Sequence, residues 1–252
     1  MASIEQGAIC TMTKGNIVSI EFTGKDITTG KIFDTTHAET AKKEGILNEK
    51  RTYGPIVVSL GMGEILPGLD AALETMKEGE SKTVTLEAKE AFGERNVQLV
   101  RVVPLSEFKK NNVAATPGTI VNANDMIGKV QSVSGGRVRV DFNPDLAGLE
   151  VEYQVKVTKT YTKPEEKLQA LVKKAFPSWE KPVYTHTADA VELKIPIKKM
   201  GDVQRNVPGF AKMVMEVLGV KNVNVTTVFT AEDFKNMHMH DDGSTHFGDH
   251  DE

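Results

Sequence analysis

The sequence predicts an α+β protein in several units, and three observations carry that prediction. Residues 15–23 and 150–157, far apart in the chain, alternate apolar and polar residues with period two, the mark of half-buried strands. Between them Pro67 opens an amphipathic helix. More than fifty residues separate Gly93 from the later strand, and they carry strand and turn signals of their own. That is too much structure for a loop, so they read as an inserted small domain.

In order, Gly15–Thr23 (GNIVSIEFT) places Val18, Ile20 and Phe22 on one strand face. Thr28-Thr29-Gly30 is a turn, followed by a short extended piece at Lys31–Asp34. Thr35–Thr52 is polar, rich in lysine and weakly periodic, so it reads as a surface loop. Pro55–Leu60 is a second strand, stopped by Gly61 and Gly63. Pro67 sits at a first helical position, where its missing N–H costs nothing. The helix stripe is Leu69, Ala72, Leu73 and Met76, the helix is expected to run to Glu78, and Gly79 is its expected stop. Lys82–Ala88 is another strand, with Val84 and Leu86 on one side.

In the insertion, Val97–Val103 is extended and Pro104 opens a short helix with Leu105 and Phe108. A hairpin is expected at Gly135-Gly136, a pair suited to a tight turn. Strict alternation returns in Glu150–Val157, where Val151, Tyr153, Val155 and Val157 share a face. After Thr162, Thr162-Lys163-Pro164-Glu165 fits a capping box before Leu168, Leu171, Val172 and Ala175. Val191, Leu193, Ile195 and Ile197 alternate as a strand. Phe210, Met213, Val214 and Val217 form a helix stripe ended by Gly219, and Val223–Phe229 is a further strand. This is an α-β-α-β unit. From about Asn236 the chain is acidic and histidine-rich and is expected to be disordered.

Composition narrows the function. At 252 residues with net charge −4, the chain gives no basic footprint for nucleic acid or an anionic membrane surface. No apolar run approaches the roughly 20 residues of a membrane helix. The N-terminus lacks the basic start and apolar core of a signal peptide. The single cysteine, Cys10, rules out an internal disulfide and reads as an inert residue. The expected address is cytoplasmic. His238, His240, His246 and His250 alternate with aspartates, which reads as a solvated tail rather than a metal site. The stretch Val57–Asn96 looks like the wall of a binding cleft, yet it holds no histidine, cysteine or serine placed for attack.

Five segments resemble, in order, the signatures of FKBP-type peptidyl-prolyl isomerases: "EFTG", "TTGKIFDTT", "VSLGMGEILPGLDAALETMKEGE", "KEAFG" and "VEYQVKV". The likeness covers roughly residues 15–162. The insertion after Ala-Phe-Gly is similar to that of bacterial SlyD and the long archaeal members, where an insert-in-flap chaperone domain stands. The resemblance implies a twisted antiparallel sheet wrapped around a short helix, with a β-rich insert and a C-terminal α/β domain. The implied division is an N-terminal extension (1–14), an isomerase domain (15–94 and 146–162), the insert (95–145), the C-terminal domain (163–235) and the tail (236–252).

Carried over by position, the resemblance implies a pocket with Phe22 and Phe33 as walls and Asp34 as the polar residue facing the bound amide. Ile56 and Val58 line its side, and Ile65 and Leu66 shape the rim, the Leu66 N–H being offered to a substrate carbonyl. Leu69 is the floor, Phe92 the wall at the flap and Tyr153 the back. Leu69 stands where eukaryotic members have tryptophan, Phe22 and Phe92 where they have tyrosine, and Ile56 where they have an aromatic residue. In the insert, Leu99, Val102, Leu105 and Phe108 are expected to offer apolar surface to client chains; the alternative is that they fill the insert's own core.

An absent nucleophile suits this chemistry. Rotation about X–Pro faces a resonance barrier of about 18–20 kcal/mol and needs no covalent step. The expected function is therefore a peptidyl-prolyl isomerase with chaperone activity. It takes no cofactor and no metal, and its partners are unfolded or partly folded polypeptides containing X–Pro bonds. A homodimer through residues 163–235 is expected from their exposed sheet edge. The competing expectation is a holdase or scaffold whose pocket is idle.

Overall fold

A computed structural model of the chain describes residues 15–123, 126–179, 181–234, 237–239 and 245–247. The expected N-terminal extension, with Cys10, lies outside them. The first sheet comprises β1 (Ile17–Asp26), β2 (Ile32–Thr35), β3 (Ile56–Ser59) and β4 (Ser81–Leu86), with one strand arriving from beyond the insertion. Between them lie two helices, α1 (Ala38–Lys43) and α2 (Pro67–Glu74). Then come β5 (Val100–Pro104), α3 (Leu105–Lys110), β6 (Ile120–Ala123), β7 (Met126–Ser134), β8 (Arg137–Asp141) and the returning strand β9 (Val151–Tyr161).

The first sheet runs β2-β1-β9-β4, and β3 also pairs with β1; all these pairings are antiparallel. Period-two alternation puts Val151, Tyr153, Val155 and Val157 of β9 on the buried face with Phe22 of β1. Against that face α2 lays Leu69 and Leu73, and Met76 follows just beyond. The helix ends at Glu74, four residues before its expected end. Thr75 Oγ1 donates to the Ala72 carbonyl at 2.8 Å, and the Thr75 and Met76 N–H groups reach carbonyls three residues back, which tightens and closes the last turn. Gly79, at φ 82°, serves a separate turn joining Lys77 to Glu80. The expected loop at 35–52 contains α1, a short helix pinned by the buried Ala41.

The second sheet has the order β5-β8-β7-β6, and the Gly135-Gly136 hairpin forms with φ of 55° and 72°. Its two connections to the first sheet are clasped together. The Asn96 N–H donates to Asn143 Oδ1 (2.8 Å), and Asn143 Nδ2 donates to the Asn96 carbonyl (3.0 Å). Arg95 pairs with the buried Asp141, and the Gly148 N–H donates to the Gly93 carbonyl (2.8 Å).

The remaining elements are α4 (Pro164–Ala175), β10 (Val183–His186), β11 (Ala190–Pro196), α5 (Ile197–Val203), α6 (Val207–Leu218) and β12 (Asn222–Val228). The order is thus α-β-β-α-α-β, richer than the expected α-β-α-β. Four-residue β10 and glycine-containing α5 are too short to show a period. Strand β11 pairs antiparallel with β10 and parallel with β12. Ile197 opens α5 instead of extending the strand, because Pro196 caps that helix. The capping box does not form: Lys163 is the N-cap of α4 and makes no side-chain bond. Pro164 takes the first helical position, which moves the cap one residue past Thr162. In the tail, β13 (Met237–Met239) and β14 (Thr245–Phe247) pair antiparallel. Composition forecasts disorder from polarity alone and does not see such local pairing; the rest of the tail lies outside the described residues.

The third unit packs on the first. Ile17, Val57 and Tyr161, on strands of the first sheet, join Leu168, Leu171, Phe176 and Trp179 in one apolar cluster. An ion pair, Lys174 Nζ to Glu64 Oε1 at 2.6 Å, spans the same junction.

Candidate active site

The site is built around Gly24 of β1, which faces Asp34 of β2 on one side and Tyr153 of β9 on the other. Phe33 stands edge-on to Tyr153 (5.8 Å between centroids, 76°) and to Phe92 (5.6 Å, 85°). Phe22 packs on Tyr153 at 5.7 Å. Such edge-to-face pairs contribute about 0.5–1.5 kcal/mol each beyond the area they bury, so the rings fix one another's orientation. A β-carbon on Gly24 would lie 2.8 Å from Phe33 Cζ and 2.9 Å from Tyr153 Cε1. Only glycine lets both rings approach the strand.

The nine apolar residues implied for the pocket fall in one cluster. Phe22, Val58, Leu69 and Tyr153 are buried in it; Phe33, Ile56, Ile65, Leu66 and Phe92 are half-buried against it. Leu66 is the N-cap of α2, and its N–H has no partner among the described residues. Asp34 is the polar member. Its Oδ1 accepts from Arg51 Nη1 at 2.5 Å, and the Arg51 guanidinium lies 5.5 Å from the Tyr53 ring centre. The turn-capping aspartate is Asp26, which accepts from the Thr28 N–H and the Thr29 hydroxyl. Burial first, and the Asp34 charge second, push the Tyr153 phenol far above its ordinary range, so it stays neutral.

Two contributors escape sequence reasoning. Arg51 sits in a stretch without periodicity, 17 residues from the carboxylate it holds. Gly24 follows an unremarkable strand pattern, and only the distance to two distant rings shows its part.

The four insert residues do not reach this cleft. Phe108 is 7% exposed in the insert's own core with Val130, Val138 and Val140, and Leu99 and Leu105 pack against it. Phe108 therefore follows the alternative reading, that it fills the insert's own core: α3 is amphipathic and turns it inward. Val102 is 63% exposed, and cross-strand register puts it on the same sheet face as Ile120 (59%) and Ile127 (68%), with Lys129, Arg137 and Arg139 between them.

An antiparallel sheet is thus laid on a short helix, beside a set of packed aromatic rings and one carboxylate held by an arginine. Comparison with known proteins gives the family. Residues 10–109 match the model described as FKBP-type peptidyl-prolyl cis-trans isomerase, and residues 101–146 match the one described as FKBP26, IF domain. The chain is 32% identical over 144 residues to a short-type peptidyl-prolyl cis-trans isomerase of Methanocaldococcus jannaschii, covering 57% of this chain and 90% of that protein. It is 29% identical over 160 residues to the SlyD isomerase of Treponema pallidum, covering 62% and 82%. It is 29% identical over 131 residues to the 16 kDa isomerase of Escherichia coli, covering 50% and 83%. The chain belongs to the FKBP-type peptidyl-prolyl cis-trans isomerase family and is an isomerase of that type. Among the described residues, no helix is long and apolar enough to cross a membrane.

Proposed function

We propose that the protein isomerises X–Pro bonds in folding polypeptides by desolvation in the aromatic cleft, and that residues 95–145 act as an insert-in-flap chaperone domain that holds the chain nearby. The observation carrying the first half is the mutually locked set Phe33, Phe92 and Tyr153, with Asp34 tied back by Arg51. The planar amide is polar and resonance-stabilised, and water favours it. Excluding water costs that planar state more than the twisted one, in which the nitrogen lone pair has left conjugation. The proline ring occupies the apolar cleft, Leu69 supports it from below, and the free Leu66 N–H is positioned to hold a flanking carbonyl. No proton moves between protein and substrate, in keeping with a neutral Tyr153.

The second half rests on the outer face of the insert sheet. Val102, Ile120 and Ile127 are exposed β-branched residues set among cations, a surface suited to apolar, partly acidic segments of unfolded chain. The clasp of Arg95, Asn96, Asp141 and Asn143 ties together the two connections between this sheet and the cleft-bearing one. Capture there raises the effective concentration of X–Pro bonds at the cleft without altering the chemistry. The free edge of β12, with Val225, Phe229 and Phe234 exposed near it, supports self-association through residues 163–235. A cytoplasmic site of action fits the single cysteine.

The test compares two substrates. A triple variant, Val102→Ser, Ile120→Ser and Ile127→Ser, and a protein whose residues 95–145 are replaced by a short loop should both turn over an X–Pro tetrapeptide within a few-fold of the intact protein. Both should lose most of their acceleration of proline-limited refolding. Undiminished catalysis of protein folding by both would remove the insert from the mechanism.

A further inference from the structure

Beside the cleft lies a cavity of about 860 Å³ whose lining includes Ile56, Val58 and Ile65 but none of the cleft's aromatic rings. One wall is strand β3 with the approach to it, including Tyr53 and Ile56; the opposite wall is α4, with Lys173 and Lys174; Tyr161 lies between and Ile65 closes the end next to the cleft. Three features of this groove point the same way.

The first is continuity. Ile56 and Ile65 pack on the cleft's apolar cluster and also line the groove. The two residues are a boundary common to the cleft and the groove.

The second is an unpaired strand edge. Among the described residues β3 pairs only with β1, and the Leu60 N–H donates to the Asn16 carbonyl at 2.9 Å. Antiparallel alternation from that bond turns the N–H and C=O of Ile56 and Val58 toward β1, and those of Val57 and Ser59 away from it. The Ser59 N–H is accordingly taken by Glu64 Oε2 at 2.7 Å. By this alternation the Val57 N–H and C=O turn away from β1, and Val57 lines the groove. An extended peptide can bond to them as an added strand does.

The third is charge. Lys174 is bound to Glu64, the one carboxylate in the lining, whereas Lys173 has no carboxylate partner among the described residues. The groove therefore presents an uncompensated positive charge on its α4 wall.

We propose that this groove is a substrate subsite shared between the isomerase unit and α4. It binds, in extended form, the residues on one side of the prolyl bond held in the cleft, and it favours an acidic side chain opposite Lys173. The third unit thereby becomes part of substrate selection as well as a packed neighbour. The inference rests on the cleft being where the X–Pro bond sits.

The experiment uses the full chain and five peptides: an X–Pro tetrapeptide, and that peptide lengthened by four residues on its N-terminal or its C-terminal side, the extension carrying either glutamates or lysines. Steady-state isomerisation of each is measured with the intact protein and with Lys173→Glu. On one side only, the glutamate extension should show a KM about fivefold below that of the lysine extension, the scale of one exposed ion pair, with kcat unchanged. Lys173→Glu should invert that preference and leave the tetrapeptide untouched. If neither extension shifts KM, or the preference survives Lys173→Glu, the groove is not a subsite while the cleft stands. A tetrapeptide that the intact protein fails to isomerise would overturn the cleft, and the groove with it.

Discussion

Gly24→Ala is the sharpest single perturbation of this site. The backbone there is not in the left-handed region, so alanine meets no strain from its own φ. The added methyl would meet three ring carbons, Phe33 Cζ at 2.8 Å and Phe33 Cε2 and Tyr153 Cε1 at 2.9 Å each. Comfortable carbon–carbon separation is about 3.5–4.0 Å, so both rings must retreat by roughly 0.6 Å or more. Neither is free to do so, since Phe33 is braced by Phe92 and Tyr153 by Phe22. Overpacking of this kind costs about 1–3 kcal/mol of stability. Displacing two walls by a sizeable fraction of an ångström should lower kcat/KM on an X–Pro tetrapeptide by about 10–100-fold. A protease-coupled peptide assay reads the turnover, and urea denaturation reads the stability. Adding Phe33→Leu, which makes room for the methyl, should recover part of the stability but not the activity. Full turnover with an unchanged denaturation midpoint in Gly24→Ala would show that the rings are not locked as described.

Other expectations concern pH and assembly. Because Tyr153 stays neutral and no proton is exchanged, kcat/KM should be flat from about pH 6 to 9; a bell-shaped profile would point to acid–base chemistry. The Tyr153 phenol has its folded value raised above 10.0, so above that pH the unfolded chain releases a proton that the folded one keeps. Stability should then fall as pH rises, and Tyr153→Phe should lessen the fall in alkaline melting curves. Light scattering at tens of micromolar should show a dimer that Val225→Lys, at the open edge of β12, weakens; a monomeric full-length chain would end that proposal.

How legible this was in the sequence depended on whether the decisive contact lay within one element. Alternation marks Val151, Tyr153, Val155 and Val157 as one face because their common environment is a single core. The Pro67 helix start was legible for the same local reason. Its end was not, since a threonine side chain bonding to a carbonyl three residues back can close a turn that the apolar stripe would continue. Ile17 and Val57 lie on strands whose period accounts for one buried face only. Their burial comes from α4, more than a hundred residues away, and no local pattern announces a second partner. The same holds for Phe108: an apolar residue reads alike whether it faces a client chain or its own small core. The five-segment resemblance named the pocket residues because it carries the tertiary arrangement with it. Gly24 closes the EFTG segment but was given no role there, and Arg51 lay outside all five segments.

The measurement that bears most directly on the account is tetrapeptide isomerisation by Phe33→Ala, Phe92→Ala, Tyr153→Ala and Asp34→Ala, with the folded fraction of each read by near-ultraviolet circular dichroism. Removing a wall readmits water to the amide, so the three aromatic variants should each lose about tenfold or more in kcat/KM, or some 1.4 kcal/mol of transition-state stabilisation. Asp34→Ala should lose less. Aromatic variants that remain folded and turn the peptide over as fast as the intact protein would contradict catalysis by a desolvating cleft at this place.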